Sequence, residues 1–298
     1  MLGLIPMSCY GYGGNVINVA SMADPGYPTP AVWSRFLGNF EYALSIGPQN
    51  DFLFEPNDIV SGTDLVMANY PHNPSGQAAT RQYWERICEF CQKKDIRLFN
   101  DAAYAALVFK QQDGEEEIVP LTEVAVDFLN LSWAEAFSAS KAIGNGTGWR
   151  VGAMAGSPDF ISDISSIKGE TDSGFVGFSA AGVLHALEND RDGMNRFRDV
   201  YQKKTGWLIS VLEQHGMRLA ARPKAGFFTL WQTPKKAFSK EVRDGAHFNK
   251  LMIENTGIAG VHFGPYIRYA VVGDIMDDDF AQAIENGFKA AQVSYPAT

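Results

Sequence analysis

Short apolar runs recur along this chain. Each ends in a polar or turn-forming cluster, and segments of helical period stand between them. Residues 15–20 (NVINVA) run into Asp24-Pro25-Gly26-Tyr27-Pro28. Residues 64–68 (DLVMA) end in Asn69-Tyr70-Pro71-His72-Asn73-Pro74-Ser75-Gly76. The run 97–100 ends at Asp101, and strand-like runs over 127–131 and 151–155 flank Lys141. Runs this short and this uniformly apolar predict strands buried on both faces. Helical spacing is predicted over 30–44, with Thr29 as its cap, and over 81–94. Strands alternating with helices in this way specify an α/β fold, a mostly parallel sheet sandwiched by helices. From about residue 201 the texture changes. A helix over 199–214 precedes strands at 217–220 and 226–231, a helix over 240–255, a strand at 267–272 and a last helix over 277–292. The predicted division is a major domain at 1–200 and a smaller C-terminal α+β domain at 201–298.

At 298 residues, either part can bury a substantial core. The chain is 46% apolar and 20% charged, which places it among ordinary globular proteins. Its net charge of −9 argues against a nucleic-acid partner. No apolar run reaches the roughly 18–20 residues that span a bilayer. The apolar start, residues 1–9, lacks a basic leader, and three cysteines suit a reducing compartment, so a cytoplasmic location is expected. Cys88 and Cys91 form a C-x-x-C, but they share one helical face with Trp84 and Ile87. With no further ligands nearby, they read as core residues, and no metal site is expected.

The stretch Ser138-Ala-Ser140-Lys141, followed by Gly144, Gly146, Gly148, Trp149 and Arg150, carries the most chemistry. A lysine amine forms Schiff bases with aldehydes, and serines with an arginine bind a phosphate dianion. Pyridoxal 5'-phosphate combines that aldehyde with that phosphate. Such a cofactor also needs an anion facing its ring nitrogen and a donor to its ring oxygen. Asp101 and Tyr104, in Asp101-Ala102-Ala103-Tyr104, have the right chemistry; a strand-end turn and a core-edge tyrosine are the plainer alternative. Asn73 is either a binding group or one residue of an ordinary turn. Tyr27, in its proline-flanked turn, either lies on the cofactor ring or packs within its loop. Arg268 interrupts an apolar strand, so it either meets an anion or points to solvent from an edge strand. The five histidines show no ligand spacing.

In order along the chain, these pieces resemble the class I/II aminotransferases of PLP fold type I, the aspartate aminotransferase-like enzymes: Pro25-Gly26-Tyr27-Pro28, Asn73-Pro74-Ser75-Gly76, Asp101 to Tyr104, Ser138 to Lys141, Gly148-Trp149-Arg150-x-Gly152 and Arg268. Thr171-Asp172-Ser173-Gly174 adds a pointer to the diaminopimelate-type branch. The resemblance implies a homodimer that moves an amino group between an amino acid and a 2-oxo acid through a Lys141 Schiff base. It implies Asp101 at the ring nitrogen, Tyr104 and Asn73 at the ring oxygen, and Ser138, Ser140 and Arg150 at the phosphate. Asn73 and Arg268 would take the substrate carboxylate. Two departures accompany it. The family's N-terminal arm and its phosphate-binding glycine loop are not recognisable before residue 15, where Gly11-Tyr12-Gly13-Gly14 precedes a strand rather than a helix. The segment from Lys141 to Arg150 is one residue longer than usual, at Gly144-Asn145-Gly146. A PLP β-lyase or decarboxylase, or a non-catalytic binding or regulatory relative, would share most of these residues.

Overall fold

A computed structural model describes residues 2–9, 15–144, 146–172 and 174–296. The glycine-rich Gly11–Gly14, Asn145 of the lengthened loop and Ser173 of the branch pointer lie outside the described residues. Six strands make the larger sheet: β1 (Asn18–Ser21), β2 (Phe40–Ala43), β3 (Leu65–Ala68), β4 (Arg97–Asp101), β5 (Trp133–Ser138) and β6 (Gly152–Gly156). Their order is β2-β1-β3-β4-β5-β6; β6 runs antiparallel to β5 and every other pairing is parallel. The run of four buried residues in β3 explains why it reads as unbroken apolar sequence. Val66 and Ala68 enter the core on one face of the sheet, while Leu65 and Met67 enter the core on the other. Side chains alternate in direction along a strand, so a strand with helices on both sides must be apolar at every position.

The helices are α1 (Leu4–Ser8), α2 (Thr29–Phe36), α3 (Arg81–Lys94), α4 (Leu121–Ala125), α5 (Ala139–Ala142), α6 (Pro158–Thr171), α7 (Gly177–Asn189), α8 (Arg191–Gln214), α9 (Gly245–Thr256) and α10 (Asp278–Ala291). In α3, Thr80 caps the first turn by accepting from the Tyr83 amide, and left-handed Asp95 (φ 56°) ends the last. Its inner face is Tyr83, Trp84, Ile87, Cys88 and Cys91. The C-x-x-C is therefore packed in the core, where burial pushes the Cys88 thiol up to about 12 and raises Cys91 further.

A second sheet of four antiparallel strands follows: β7 (Leu219–Ala221), β8 (Phe228–Gln232), β11 (Val261–Phe263) and β12 (Tyr266–Ala270), in the order β11-β12-β8-β7. The small hairpin β9 (Lys236–Ala237) and β10 (Lys240–Glu241) lies beside it. Its core draws on α8, α9 and α10 and also takes in Tyr104 and Leu107, which follow β4. The two sheets are tied at Gly76, whose carbonyl accepts from the Lys224 and Ala225 amides at 2.8 and 3.0 Å. Gly76 has φ 72°, and a Cβ there would lie 2.5 Å from Pro223, so glycine is required twice over.

Several predicted elements move. The helix expected over 30–44 stops at Phe36, because Gly38 turns the chain at φ 81° and 40–43 pair with β1 as the edge strand. Pro28, not Thr29, is its cap residue. The strand expected at 127–131 is a series of turns closed by bonds such as Leu131 N to Phe128 O, and the strand leading to Lys141 is β5. The helix expected from 240 starts at Gly245, after Asp244 accepts from the His247 amide. The helix expected from 199 begins at Arg191, where Asp190 accepts from the Gly193 amide, and it runs unbroken across residue 200.

Candidate active site

Three neighbouring interior strands deliver the candidate residues at their carboxyl ends, where ligands bind in parallel α/β sheets. The 69–76 loop leaves β3, Asp101 is the last residue of β4, and Lys141 lies in the single turn of α5 that follows β5. Ser138 ends β5 and caps that turn by accepting from the Ser140 amide at 3.3 Å.

Asp101 accepts from the Ala103 amide at 3.2 Å through Oδ1, and it forms no ion pair at salt-bridge distance among the described residues. Burial pushes its carboxyl up to about 6, against the opposing pull of the Ala103 amide and of Lys141. Lys141 is held below the usual lysine range by burial, with Arg150 adding to the effect and Asp101 opposing it. The Lys141 Nζ lies 5.7 Å from the Tyr104 ring centroid. Burial likewise raises the Tyr104 hydroxyl to about 12, while Arg268 lowers it; Asp101 and Tyr27 also act on it electrostatically. Tyr104 is wedged against Phe227 and Phe228, with ring centroids 5.5 and 5.7 Å apart.

Arg268 is not on an edge strand. β12 lies between β11 and β8, so the solvent-pointing alternative falls. Its guanidinium sits 3.9 Å from the Phe228 centroid and 5.1 Å from that of Phe263, and NH1 donates to Asn73 Oδ1 at 2.6 Å. No carboxylate pairs with it among the described residues, and burial lowers its pKa. A desolvated guanidinium held by an amide oxygen and two rings is prepared for a carboxylate supplied from outside. Asn73 is itself buried and joins residues 195 positions apart.

The phosphate-side candidates are placed differently. Ser140 is buried, but Arg150 is exposed, adopts φ 54°, and donates to the Thr147 carbonyl at 3.0 Å. Arg150 is nevertheless near enough to depress Lys141. Tyr27 is 41% exposed. The structure thus gathers Asp101, Tyr104, Lys141, Asn73 and Arg268, with Ser138 and Ser140 in the turn that carries the lysine and with Tyr27 and Arg150 more exposed.

This donor set fits pyridoxal 5'-phosphate. A half-buried carboxylate suits a cationic ring nitrogen, an amine below its usual pKa suits an aldehyde, and a guanidinium without a carboxylate partner suits a substrate carboxylate. Sequence reasoning missed Asn69, which binds both the Asn73 amide and the Asp101 carbonyl. It also missed the aromatic seat that Phe228 and Phe263 give Arg268. The only sequence signal for Asn69 was its place at the start of the turn cluster.

Residues 37–270 match the family model for aminotransferase class I and II. The chain belongs to that family. It is 29% identical over 286 residues to an LL-diaminopimelate aminotransferase of Methanocaldococcus jannaschii, covering 93% of this chain and 64% of that protein. With its counterpart in Natranaerobius thermophilus it shares 30% identity over 252 residues, covering 82% and 61%. The chain therefore spans less than two thirds of the length of these aminotransferases. Among solved structures, a substrate-bound BacF from Bacillus subtilis superposes with a TM-score of 0.85 at 18% identity, covering 99% of this chain and 73% of that one. A maleate-bound aspartate aminotransferase from Thermus thermophilus gives 0.82 at 20% identity, covering 97% and 72%. These likenesses establish the aminotransferase fold. No helix among the described residues is long and apolar enough to cross a membrane.

Proposed function

We propose that this chain is a pyridoxal 5'-phosphate-dependent aminotransferase moving an amino group between an amino acid and a 2-oxo acid. One observation carries the reading: an amine, a half-buried carboxylate and a guanidinium with no carboxylate partner among the described residues converge from three separate segments. The bound cofactor supplies an aldehyde for the amines and a ring that accepts the electron pair released at the substrate α-carbon. Lys141 would hold the cofactor through its amine and would carry a proton to and from the substrate α-carbon. Its depressed pKa keeps more of the amine in the basic form. Asp101 faces the ring nitrogen, whose positive charge favours the ionised carboxylate and so counteracts the cost of burial. Tyr104 and the Asn73 amide donate to the ring oxygen, and Tyr27 covers the ring. Ser138, Ser140 and Arg150 bind the phosphate. Arg268, fixed by Asn73, takes the substrate carboxylate.

In the same reading, residues 1–200 form the cofactor-binding domain and 201–298 a smaller one, with α8 bridging them. The working unit is a homodimer in the cytoplasm. The names of the relatives make LL-diaminopimelate the first amino donor to try, with 2-oxoglutarate as acceptor.

Absorbance tests the proposal. Protein loaded with pyridoxal 5'-phosphate should show a visible band that borohydride abolishes and an amino donor bleaches. In Lys141→Ala the borohydride-sensitive band should be absent and turnover should fall by about 10³-fold or more. A wild-type protein with no such band would sink the reading.

A further inference from the structure

We propose that Asn69 is a positioning residue that sets Asp101 and Asn73 at a fixed mutual distance, so that the ring-nitrogen and substrate-carboxylate ends of the site move as one unit. The inference rests on the aminotransferase reading above. Asn69 is the first residue after β3, and only 7% of it is exposed. Its Nδ2 donates to the Asp101 carbonyl at 2.8 Å, and its Oδ1 accepts from the Asn73 amide at 3.1 Å. Its own amide is directed at the Met22 sulfur, 3.2 Å away. One buried side chain thus spans the end of β4 and the loop that holds Arg268 through Asn73. Serine or aspartate reproduces only part of this, because only an amide offers a donor and an acceptor in one plane.

A deeper polar layer makes the bridge stiff. Asn100, one residue before Asp101, pairs with Tyr70 in both directions: Tyr70 N donates to Oδ1 at 2.8 Å, and Nδ2 donates to Tyr70 O at 2.9 Å. Asn100 Nδ2 also donates to buried Glu135 at 2.8 Å. The Glu135 carboxylate further accepts from the Leu121 and Thr122 amides and the Thr122 hydroxyl. β3, β4 and β5 are therefore cross-linked just beneath the site, and Asn69, the chain neighbour of Tyr70, adds the bonds that reach Asp101 and Asn73 themselves. Buried networks with every member satisfied are rigid, and loss of one member leaves its partners unpaired.

The two bonds predict separable effects. Without the tie to Asp101, the carboxylate is less well aimed at the ring nitrogen, and cofactor binding weakens. Without the tie to Asn73, its donor drifts from the ring oxygen, and the visible band titrates at higher pH, because that donor favours the deprotonated form. The test uses the full chain and pyridoxal 5'-phosphate as the probe. Asn69→Ala should weaken cofactor binding about tenfold and raise the pH midpoint of the band by about one unit. Asn69→Asp keeps an oxygen for the Asn73 amide but removes the donor to Asp101. It should weaken cofactor binding while leaving the midpoint near wild type. A purely structural asparagine would lower the thermal midpoint of both variants and leave the band's titration in the loaded protein unmoved. That result, with a normal wild-type band, overturns the role of Asn69 alone; absence of the band in wild type overturns the aminotransferase reading itself. Should Asn69→Ala fail to fold, Asn69→Leu, which fills a similar volume with neither donor nor acceptor, takes its place with the same expectations.

Discussion

Asp101 and Arg150 both serve the same proposed cofactor, yet they are held in opposite ways. Asp101 ends an interior strand, its carbonyl bonded to Asn69 and its side chain to the Ala103 amide, and burial carries its carboxyl to about 6 against the pull of that amide and of Lys141. Arg150 follows a short turn, Gly146–Trp149, with its side chain in solvent and its guanidinium resting on the Thr147 carbonyl. The ring and substrate side of the site is built on sheet and cross-linked beneath. The phosphate side is built on loop. Groups fixed before the ligand arrives lose less freedom on binding, so substitutions in the first region should cost more function than substitutions in the second.

Asp101→Asn should break the buried side most severely. With no anion at the ring nitrogen, kcat is expected to fall on the order of 10²- to 10⁴-fold, with a much smaller change in cofactor affinity. The same substitution has an opposite effect on the cofactor-free fold. Because the carboxyl pKa is raised from 3.8 to about 6, the folded state binds its proton more tightly than the unfolded chain does. That stabilisation is fully present below the unfolded value and is lost as pH rises through about 6. Its size is about 3 kcal/mol, to order of magnitude. Asparagine carries no such pH dependence. Cofactor-free Asp101→Asn should therefore gain several degrees in Tm over wild type at pH 8, and the gain should vanish near pH 4. A lower Tm at both pH values would show that the carboxylate is not desolvated as described.

Arg268→Lys comes next in size. A lysine keeps the charge but cannot hold Asn73 and a carboxylate in one plane, nor lie flat on Phe228. KM for the amino donor should rise roughly 10- to 100-fold, with kcat changed far less. Comparable losses in both would place Arg268 in the chemistry rather than in binding.

The legibility of the sequence follows the same division. α3 was readable at both ends because its signals are local: the Thr80 cap, the apolar face and the turn at Asp95. The placing of Asp101, Lys141 and Asn73 at one end of the sheet was expected because each stands in a short run of unusual chemistry. β5 was misplaced because Trp133-Ala134-Glu135-Ala136 looks little like a buried strand. Its glutamate is tolerated only through partners at 100, 121 and 122, which local pattern cannot reveal. β2 was lost for a related reason: pairing with β1, not propensity, makes residues 40–43 a strand once Gly38 has ended α2. Asn69 was hidden because turn-forming asparagines are common, and nothing in the sequence says which one bonds to both Asp101 and Asn73.

The smallest effect tests whether the loop side is strained before the cofactor binds. A non-glycine residue at φ 54° occupies the small left-handed region, at a cost of about 1 kcal/mol. Arg150→Gly and Arg150→Ala remove the same guanidinium but only glycine accepts that φ freely. Both should weaken cofactor binding by a similar factor, less than about tenfold, since an exposed arginine contributes little beyond one charge-assisted contact. They should differ in the cofactor-free protein, where the glycine variant is expected to be more stable than the alanine variant by about 1 kcal/mol in denaturant titrations. Equal stability would mean that residue 150 relaxes out of the left-handed region without its side chain. The loop would then owe that conformation to the Thr147 contact rather than to the backbone around it, and the phosphate side would be assembled by Arg150 itself.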